Sequence, residues 1–519
     1  MASSRPQTAT SSVTSRTIED TSPAAPTHDE KSLKKIPTNG EGPSAIPADV
    51  KEEAYENAEE DWAHDPLNPR NWSFRKKWVA VSILSLYTFV TPLGSSMMAP
   101  ALPFIALEFG ITDETVVALT LSIFLVSFAL APLIYAPLSE MYGRRWLLHI
   151  SNVLFLAFNF GCAYSTSTGA LIGFRFLSGW AGAAPIAIGG GVIGDLFSEH
   201  DRAGAMAIYS LGPLIGPAVG PVMGGFIAET VGWKYVFVLI SSLAGVAGII
   251  GVPFLRETYS PVIRLHLAKK MDPEEAMRRH PHLELAHGKG STMHLLWINI
   301  SRPFVLLTRS LICFVLSLYM ALLYGIYYLM FATFPDLFSS VYGFSAGVSG
   351  LAYLGLGFGF LLATVLGGHF GNVVYHTLSE KNGGKGKPEM RLPALIFGSL
   401  FVPVGLFWYG WSAQAAVHWI MPIIGTGIFG FGMMACYLPI QLYLVDSFTY
   451  AASALSAAAV FRSLLGFAFP LFASQMYEAM GLGGGNSFLA GLAIVIGIPF
   501  PVWMWFYGEK LRLKSSLTR

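Results

Sequence analysis

From Trp78 onward the chain alternates long apolar runs with short polar intervals. Twelve of these runs, near 78–100, 116–137, 146–165, 170–193, 205–228, 234–254, 306–333, 346–372, 392–411, 416–442, 453–478 and 486–507, are each long enough to cross a ~30 Å hydrocarbon core as a helix. The polar interval 255–305 separates six spans from six. The pattern predicts an all-α integral membrane protein, its twelve helices arranged as two pseudo-symmetric six-helix bundles. The expected divisions are a cytoplasmic tail over 1–64, a first bundle over 65–254, a cytoplasmic linker over 255–305, a second bundle over 306–507 and a cytoplasmic tail over 508–519. The first stretch is rich in Ser, Thr, Pro, Glu and Lys with few large apolar residues, so it is expected to be disordered.

The fifth run is unusual. Gly212, Gly216, Gly220 and Gly224 recur every four residues, Pro213, Pro217 and Pro221 follow three of them, and Gly225 closes the segment. In water each proline would break a helix by removing a donor and crowding the preceding turn. In a bilayer the backbone must be satisfied within the protein, and neighbouring helices can rescue the freed carbonyls. A bent transmembrane helix with a small-residue stripe for close helix approach is the expectation. Plain packing with no part in a conformational cycle is the other reading.

Composition agrees with a membrane setting. The chain has 519 residues, 53% hydrophobic and 13% charged, against about 25% charged in a soluble domain. Cys162, Cys313 and Cys436 all fall in apolar runs, which gives no sign of a disulfide framework. Net charge is +1, but its distribution carries the information: with the N-terminus inside, 30 of 33 Lys and Arg lie on the inner side, Lys234 lies outside, and Arg175 and Arg462 fall within spans. An even number of spans then places both termini in the cytoplasm.

Few polar residues interrupt the apolar background. Arg175, in the fourth run, is expected to face a polar interior or a partner, because arginine within hydrocarbon costs at least ~2.5 kcal/mol, with snorkelling to the outer interface as the other reading; Arg462 is its counterpart in the eleventh, nearer the inner end, with a local interfacial anchor as its alternative. Between the second and third runs, Glu140, Gly143, Arg144 and Arg145 combine a tight turn with opposite charges, which suits a gating latch between bundles; holding the loop inside would need only the arginines. Asp336 and Asp446 close the seventh and tenth runs and are candidates for carrying a proton, with loop anchoring as the alternative. Ser95, Ser96, Tyr324, Tyr328, Tyr437 and Gln441 are candidates for lining a cavity suited to a bulky, partly apolar solute, with helix packing or an interface belt as the other reading of the tyrosines. No GxxxxGK[ST] loop, HExxH or CxxC pattern occurs, so neither an ATPase, a metal site nor an enzyme is expected.

Taken in order, these features resemble the major facilitator superfamily, and within it the fungal twelve-span drug:proton antiporter group, over about residues 65–510. Ala136 to Arg145 is similar to the family's loop signature, with Glu140 for aspartate, Met141 for a basic residue and Ala136 for glycine, a version common in the fungal subgroup. Arg175 with Gly179 and Gly182 resembles the fourth-span signature, whose arginine the family implicates in proton coupling. Gly212 to Gly225 resembles the antiporter signature, thought to seal the interface between inward and outward states. Arg256 to Pro261 is similar to the subgroup's motif after the sixth span.

The resemblance implies alternating access by two rocking halves. It implies export of a small organic solute, such as a secondary metabolite, toxin or drug, in exchange for protons, with the proton gradient as energy source and no cofactor. A carboxylate on the solute could pair with Arg175, in which case alanine there should abolish transport and leave the fold intact. Expected partners are the solute, protons and the lipid bilayer, with no nucleic acid, for a monomer in the plasma membrane rather than the vacuole. A proton-driven importer, a polyamine carrier and a non-transporting sensor of the same fold are the rival readings; scarce acidic residues weigh against polyamines.

Overall fold

The computed structural model describes residues 60–198, 202–272, 275, 292–448, 451–515 and 518. The expectation of a disordered tail, up to residue 59, and the middle of the 255–305 linker lie outside the described residues. Among them, twelve helical segments are long and apolar enough to cross a membrane: Phe74–Phe109, Glu114–Tyr142, Arg144–Ala163, Thr168–Leu196, Gly204–Thr230, Lys234–Phe254, Leu311–Ser340, Ala346–Lys381, Pro388–Gln414, Ile420–Ser447, Ser453–Leu471 and Ala473–Leu513. They are numbered here as the first to twelfth spans. The protein is an all-helical, multi-pass integral membrane protein.

Three boundaries differ from the apolar pattern. The seventh span begins at Leu311, not 306, because a separate helix, Thr292–Arg309, precedes it and Ser310 breaks the two with extended backbone. The Ser310 hydroxyl then caps the new helix by accepting from Cys313 N at 3.3 Å. The eleventh helix stops at Leu471, and the next segment, Ala473–Gly497, is kinked at Gly481, whose φ of 70° lies in the left-handed region. Finally, the helix Pro499–Leu513 continues through the start of the expected C-terminal tail.

Prolines lie inside the spans without ending them. The fifth is one helix, Arg202–Thr230, through Pro213, Pro217 and Pro221. The first continues through Pro92 to Ser96, and both Ser95 and Ser96 donate to the Pro92 carbonyl, at 2.7 and 3.2 Å. Such hydroxyl bonds satisfy a carbonyl beside a proline within a bilayer.

Packing follows two sets of six. In the first, span one lies against five, two against four, and three against four and six; in the second, seven lies against eleven, nine against ten and twelve, and eight against ten. The sets meet where span two packs on eleven and span five on eight. An aromatic cluster stiffens the second set: the Tyr353 ring lies 4.7 Å from Phe331 and 4.8 Å from Phe334, and its hydroxyl donates to the Phe331 carbonyl at 2.8 Å.

Candidate functional site

A cavity of about 300 Å³ lies between the two sets of spans. The first set contributes Ser95, Phe124, Phe128, Tyr209, Pro213 and Pro217; the second contributes Tyr324, Tyr327, Tyr328, Phe360, Met433, Tyr437, Gln441 and Arg462. Five of the six residues expected from sequence to line a cavity are therefore brought together. Ser96 is not: its hydroxyl turns back onto the carbonyls of Pro92 and Leu93 and faces Gly220 of the fifth span. Tyr324 and Tyr328 lie ring against ring at 5.0 Å, and the Tyr328 hydroxyl shares a 3.0 Å hydrogen bond with Ser95 Oγ, joining the two sets inside the cavity.

Arg175 and Arg462 have opposite environments. Arg175 is fully buried and does not line the cavity. Its guanidinium donates to four backbone carbonyls: Gly94 at 2.9 Å, Thr120 at 3.3 Å, Leu121 at 3.3 Å and Ser95 at 3.4 Å. It also sits 4.8 Å from the Phe124 ring centroid. The side chain clamps the Gly94–Ser95 backbone of the first span to the second, so the expected pairing of Arg175 with a solute carboxylate is not offered in this conformation. Arg462 does line the cavity, resting 5.2 Å over Tyr324 and 5.7 Å over Tyr437 and donating to the Tyr437 hydroxyl at 3.4 Å.

The loop between spans two and three is held by carboxylates. Arg144 Nε donates to Asp195 at 2.6 Å, and its Nη1 donates to Ser139 Oγ at 3.3 Å. Glu257 accepts from the backbone N–H of Arg144 at 3.0 Å and of Arg145 at 3.1 Å, placing an anion at the N-terminus of the third span, where the helix dipole favours it. Gly143 has φ 94°, and a Cβ there would collide with the Glu257 carboxyl, its carbon only 2.9 Å away. Glu140 is exposed. These partners lie in the first set of spans or directly after its last one, so in this conformation the expected latch ties that set to itself.

The second set repeats the arrangement. Arg391, before the ninth span's main helix, donates to Asp446 at 3.3 Å and lies 3.9 Å over the Tyr375 ring, while Arg512 donates to Glu389 at 2.9 Å. Asp446, a candidate for proton transfer, is thus in an ion pair and not at the cavity. Asp336, the other candidate, lines a second cavity of about 270 Å³ together with Glu114.

The fifth span presents three faces. Its glycine stripe lies on the first span, in the same set: a Cβ on Gly212 would meet Phe89 N at 2.9 Å, and one on Gly216 would meet Leu93 N at 3.0 Å. Gly220 and Gly224 similarly abut Leu93 and Met97. Pro213 and Pro217 face the cavity. The face toward the other set is carried by Ala218, Pro221 and Gly225, against Gly357, Gly350 and the Ala346–Gly347 backbone of the eighth span. At the same end, Gly347 N donates to Glu229 at 2.8 Å and Gln475 donates to Thr115 at 2.8 Å, both across the two sets. The expected seal is therefore divided: the four glycines of the repeat let the fifth span nest on the first, while Ala218, Pro221 and Gly225, the last two from the same expected set, make the seam with the eighth span.

Sequence reasoning singled out the motif holding Glu257 but not its role, since the backbone it caps is 113 residues earlier. It also passed over His149, buried and 3.2 Å from the Tyr87 hydroxyl, and Phe124, whose aromatic face serves both Arg175 and the cavity. A phenylalanine among many in an apolar run carries no mark of such a contact.

A family model described as Major Facilitator Superfamily matches residues 84–470. The chain is 42% identical over 476 residues to the efflux pump radE of Floropilus chiversii, covering 91% of this chain and 88% of that one. It is 42% identical over 483 residues to the efflux pump vrtL of Penicillium aethiopicum, covering 92% and 95%, and 43% identical over 456 residues to the MFS-type transporter penM of Penicillium rubens, covering 87% and 89%. Among solved structures, the partially occluded inward-open xylose transporter XylE from E. coli aligns with a TM-score of 0.59 at 14% identity, over 83% of this chain and 98% of that one. At that identity the likeness concerns the fold.

Proposed function

The chain belongs to the Major Facilitator Superfamily and is a membrane transporter, not an enzyme, and on that premise we propose that it is an efflux pump exporting a small organic solute of the secondary-metabolite class in exchange for protons. The observation that carries this reading is the aromatic cavity lined from both sets of spans, joined across its interior by the Ser95–Tyr328 hydrogen bond. A rocking motion of one set against the other would break that bond and the seam of spans five and eight, and expose the cavity to the opposite side. Glu229–Gly347 and Gln475–Thr115 belong to the end that the Lys and Arg distribution assigns to the outside, so the conformation reads as inward-facing.

Export rather than import is supported by the relatives named as efflux pumps and by the likeness of the fifth span to the antiporter signature. The charge distribution supports cytoplasmic termini, and we assign the protein to the plasma membrane as a monomer. The Arg144–Asp195–Glu257 cluster is proposed as a gating element that exchanges partners when the inner ends close.

Flux in reconstituted vesicles tests the mechanism independently of protein orientation. An antiporter accumulates an aromatic organic probe when the vesicle lumen is acidic, since protons leave as the probe enters. A proton symporter accumulates it when the lumen is alkaline, and a sensor moves nothing under either gradient. Accumulation in alkaline-lumen vesicles would overturn the exporter reading.

A further inference from the structure

Arg462 is the one charged side chain among the described residues lining the central cavity. No described carboxylate stands within ion-pair distance of it; every ion pair formed by the described Arg and Lys lies elsewhere. Its surroundings are rings and hydroxyls: Tyr324 and Tyr437 beneath the guanidinium, and the Tyr437 oxygen accepting from Nη1. The Nε–H is buried with no acceptor. Arg175 shows what a satisfied membrane arginine looks like in this same protein, with every nitrogen aimed at a carbonyl.

The donor count is lopsided. Because the Tyr437 oxygen accepts from Arg462, its own proton remains available to a third group. A half-buried arginine whose Nε–H is buried and orphaned, beside a free phenol proton, is an acceptor-poor site, and its cation has no opposite charge at hand in the cavity. The walls around it, Tyr324, Tyr328, Phe124 and Phe360, are flat and aromatic.

We infer that the cavity takes an organic anion: a flat, mainly apolar body bearing one carboxylate or ionised phenol or enol, whose oxygens pair with the Arg462 guanidinium and accept from the Tyr437 hydroxyl while the rings stack on the tyrosine wall. The inference rests on the cavity being the transport site, and it places the anion-pairing function on Arg462 in the eleventh span, not on Arg175. A neutral solute leaves the cation unpaired, and a cationic one is repelled by it.

The test uses one ring system with three head groups: 2-anthracenecarboxylate, its neutral carboxamide and the cationic 2-(aminomethyl)anthracene. Binding is read by fluorescence on the full chain in lipid nanodiscs without any gradient. The carboxylate should bind about 10-fold or more tighter than the carboxamide, with the amine weakest, as a charge-assisted bond to guanidinium requires. Arg462→Gln should remove the difference by weakening the carboxylate alone, and Arg462→Lys should keep part of it, because charge is retained but the planar fork is lost. If wild type binds carboxamide or amine as tightly as carboxylate, or binds none of the three, the inference is overturned; that result needs no variant. A carboxylate preference that survives Arg462→Gln overturns it as well. Flux separates this from the export reading: a transported carboxamide or amine sinks the anion assignment and keeps the exporter. An Arg462-dependent carboxylate that neither gradient moves keeps the site and sinks the exporter.

Discussion

Adding a single methyl at Gly350 should shift the transporter between conformations without unfolding it. A Cβ at that position would lie 2.5 Å from the Pro221 carbonyl oxygen and 3.2 Å from Val222 Cα, all backbone atoms of the fifth span. Backbone cannot rotate out of the way as a side-chain tip can, so the relief available is separation of the eighth span from the fifth. That separation is the opening of the seam between the two sets. Overpacking of this kind costs roughly 1–3 kcal/mol, and the cost exists only while the seam is closed. By population-shift arithmetic the closed-to-open ratio should fall about 5- to 150-fold. The matched control is Gly216→Ala, where the new methyl would sit 3.0 Å from Leu93 N inside one set of spans. That contact persists in both conformations, so the control should lower stability and leave the ratio alone. Spin labels at Asp113→Cys and Val341→Cys, both exposed positions of opposite sets at the seam end, report the ratio by electron–electron double resonance; the native cysteines are buried. Gly350→Ala should enrich the long-distance population while Gly216→Ala leaves it at the wild-type fraction and lowers Tm. Identical distance distributions for all three proteins would refute the division of the fifth span into a nesting face and a seam face.

Three further outcomes follow from the polar clusters. Gly143→Ala should destabilise the protein by about 1–3 kcal/mol through left-handed strain and displacement of Glu257, whereas Gly110→Ala, also at positive φ but with open space around it, should cost only the backbone part; melting in detergent compares them. Arg175→Gln should lower thermal stability and monodisperse yield along with transport, because four buried carbonyls lose a charged donor and each unsatisfied group costs about 1–3 kcal/mol; a fully stable but inactive variant would return Arg175 to a coupling role. Double-mutant cycles should give a larger coupling for Arg144–Asp195, at 2.6 Å and nearly buried, than for Arg391–Asp446, at 3.3 Å and more exposed, with the latter under about 1 kcal/mol.

The spans were readable because bilayer length and the absence of charge constrain twelve runs independently of any tertiary detail. Where spans begin was less readable: Leu306 and Leu307 look like the start of the seventh by hydropathy, and only the Ser310 cap reveals that they end the previous helix. Pairings between distant runs were not readable. The four-residue repeat of glycine announces that something comes close, but the same repeat would serve the first span or the eighth. Which one it is depends on a shift of a single position, from Gly220 to Pro221, that rotates the contact about 100° around the helix. Likewise Arg175 and Arg462 look equivalent as lone arginines in apolar runs. Nothing local says that one meets backbone carbonyls at the end of the first span's helix and within the second span, and the other meets phenols.

That difference between the two arginines has a structural logic. At the ends of the bundles the two sets match: Arg144 with Asp195 before and after spans three and four, Arg391 with Asp446 around spans nine and ten. Two halves that rock against each other need the same rigid end-fastening, and here it is built twice from the same charges. At mid-membrane the halves diverge. The first set spends its arginine on its own backbone, which fixes the Gly94–Ser95 turn of the first span and with it the position of Ser95. The second leaves its arginine against tyrosines, with an N–H to spare. A fixed wall facing a wall with unsatisfied donors keeps the solute's hydrogen bonds on one half, so that moving the halves apart opens its apolar enclosure to water, which can then replace those bonds and release the solute.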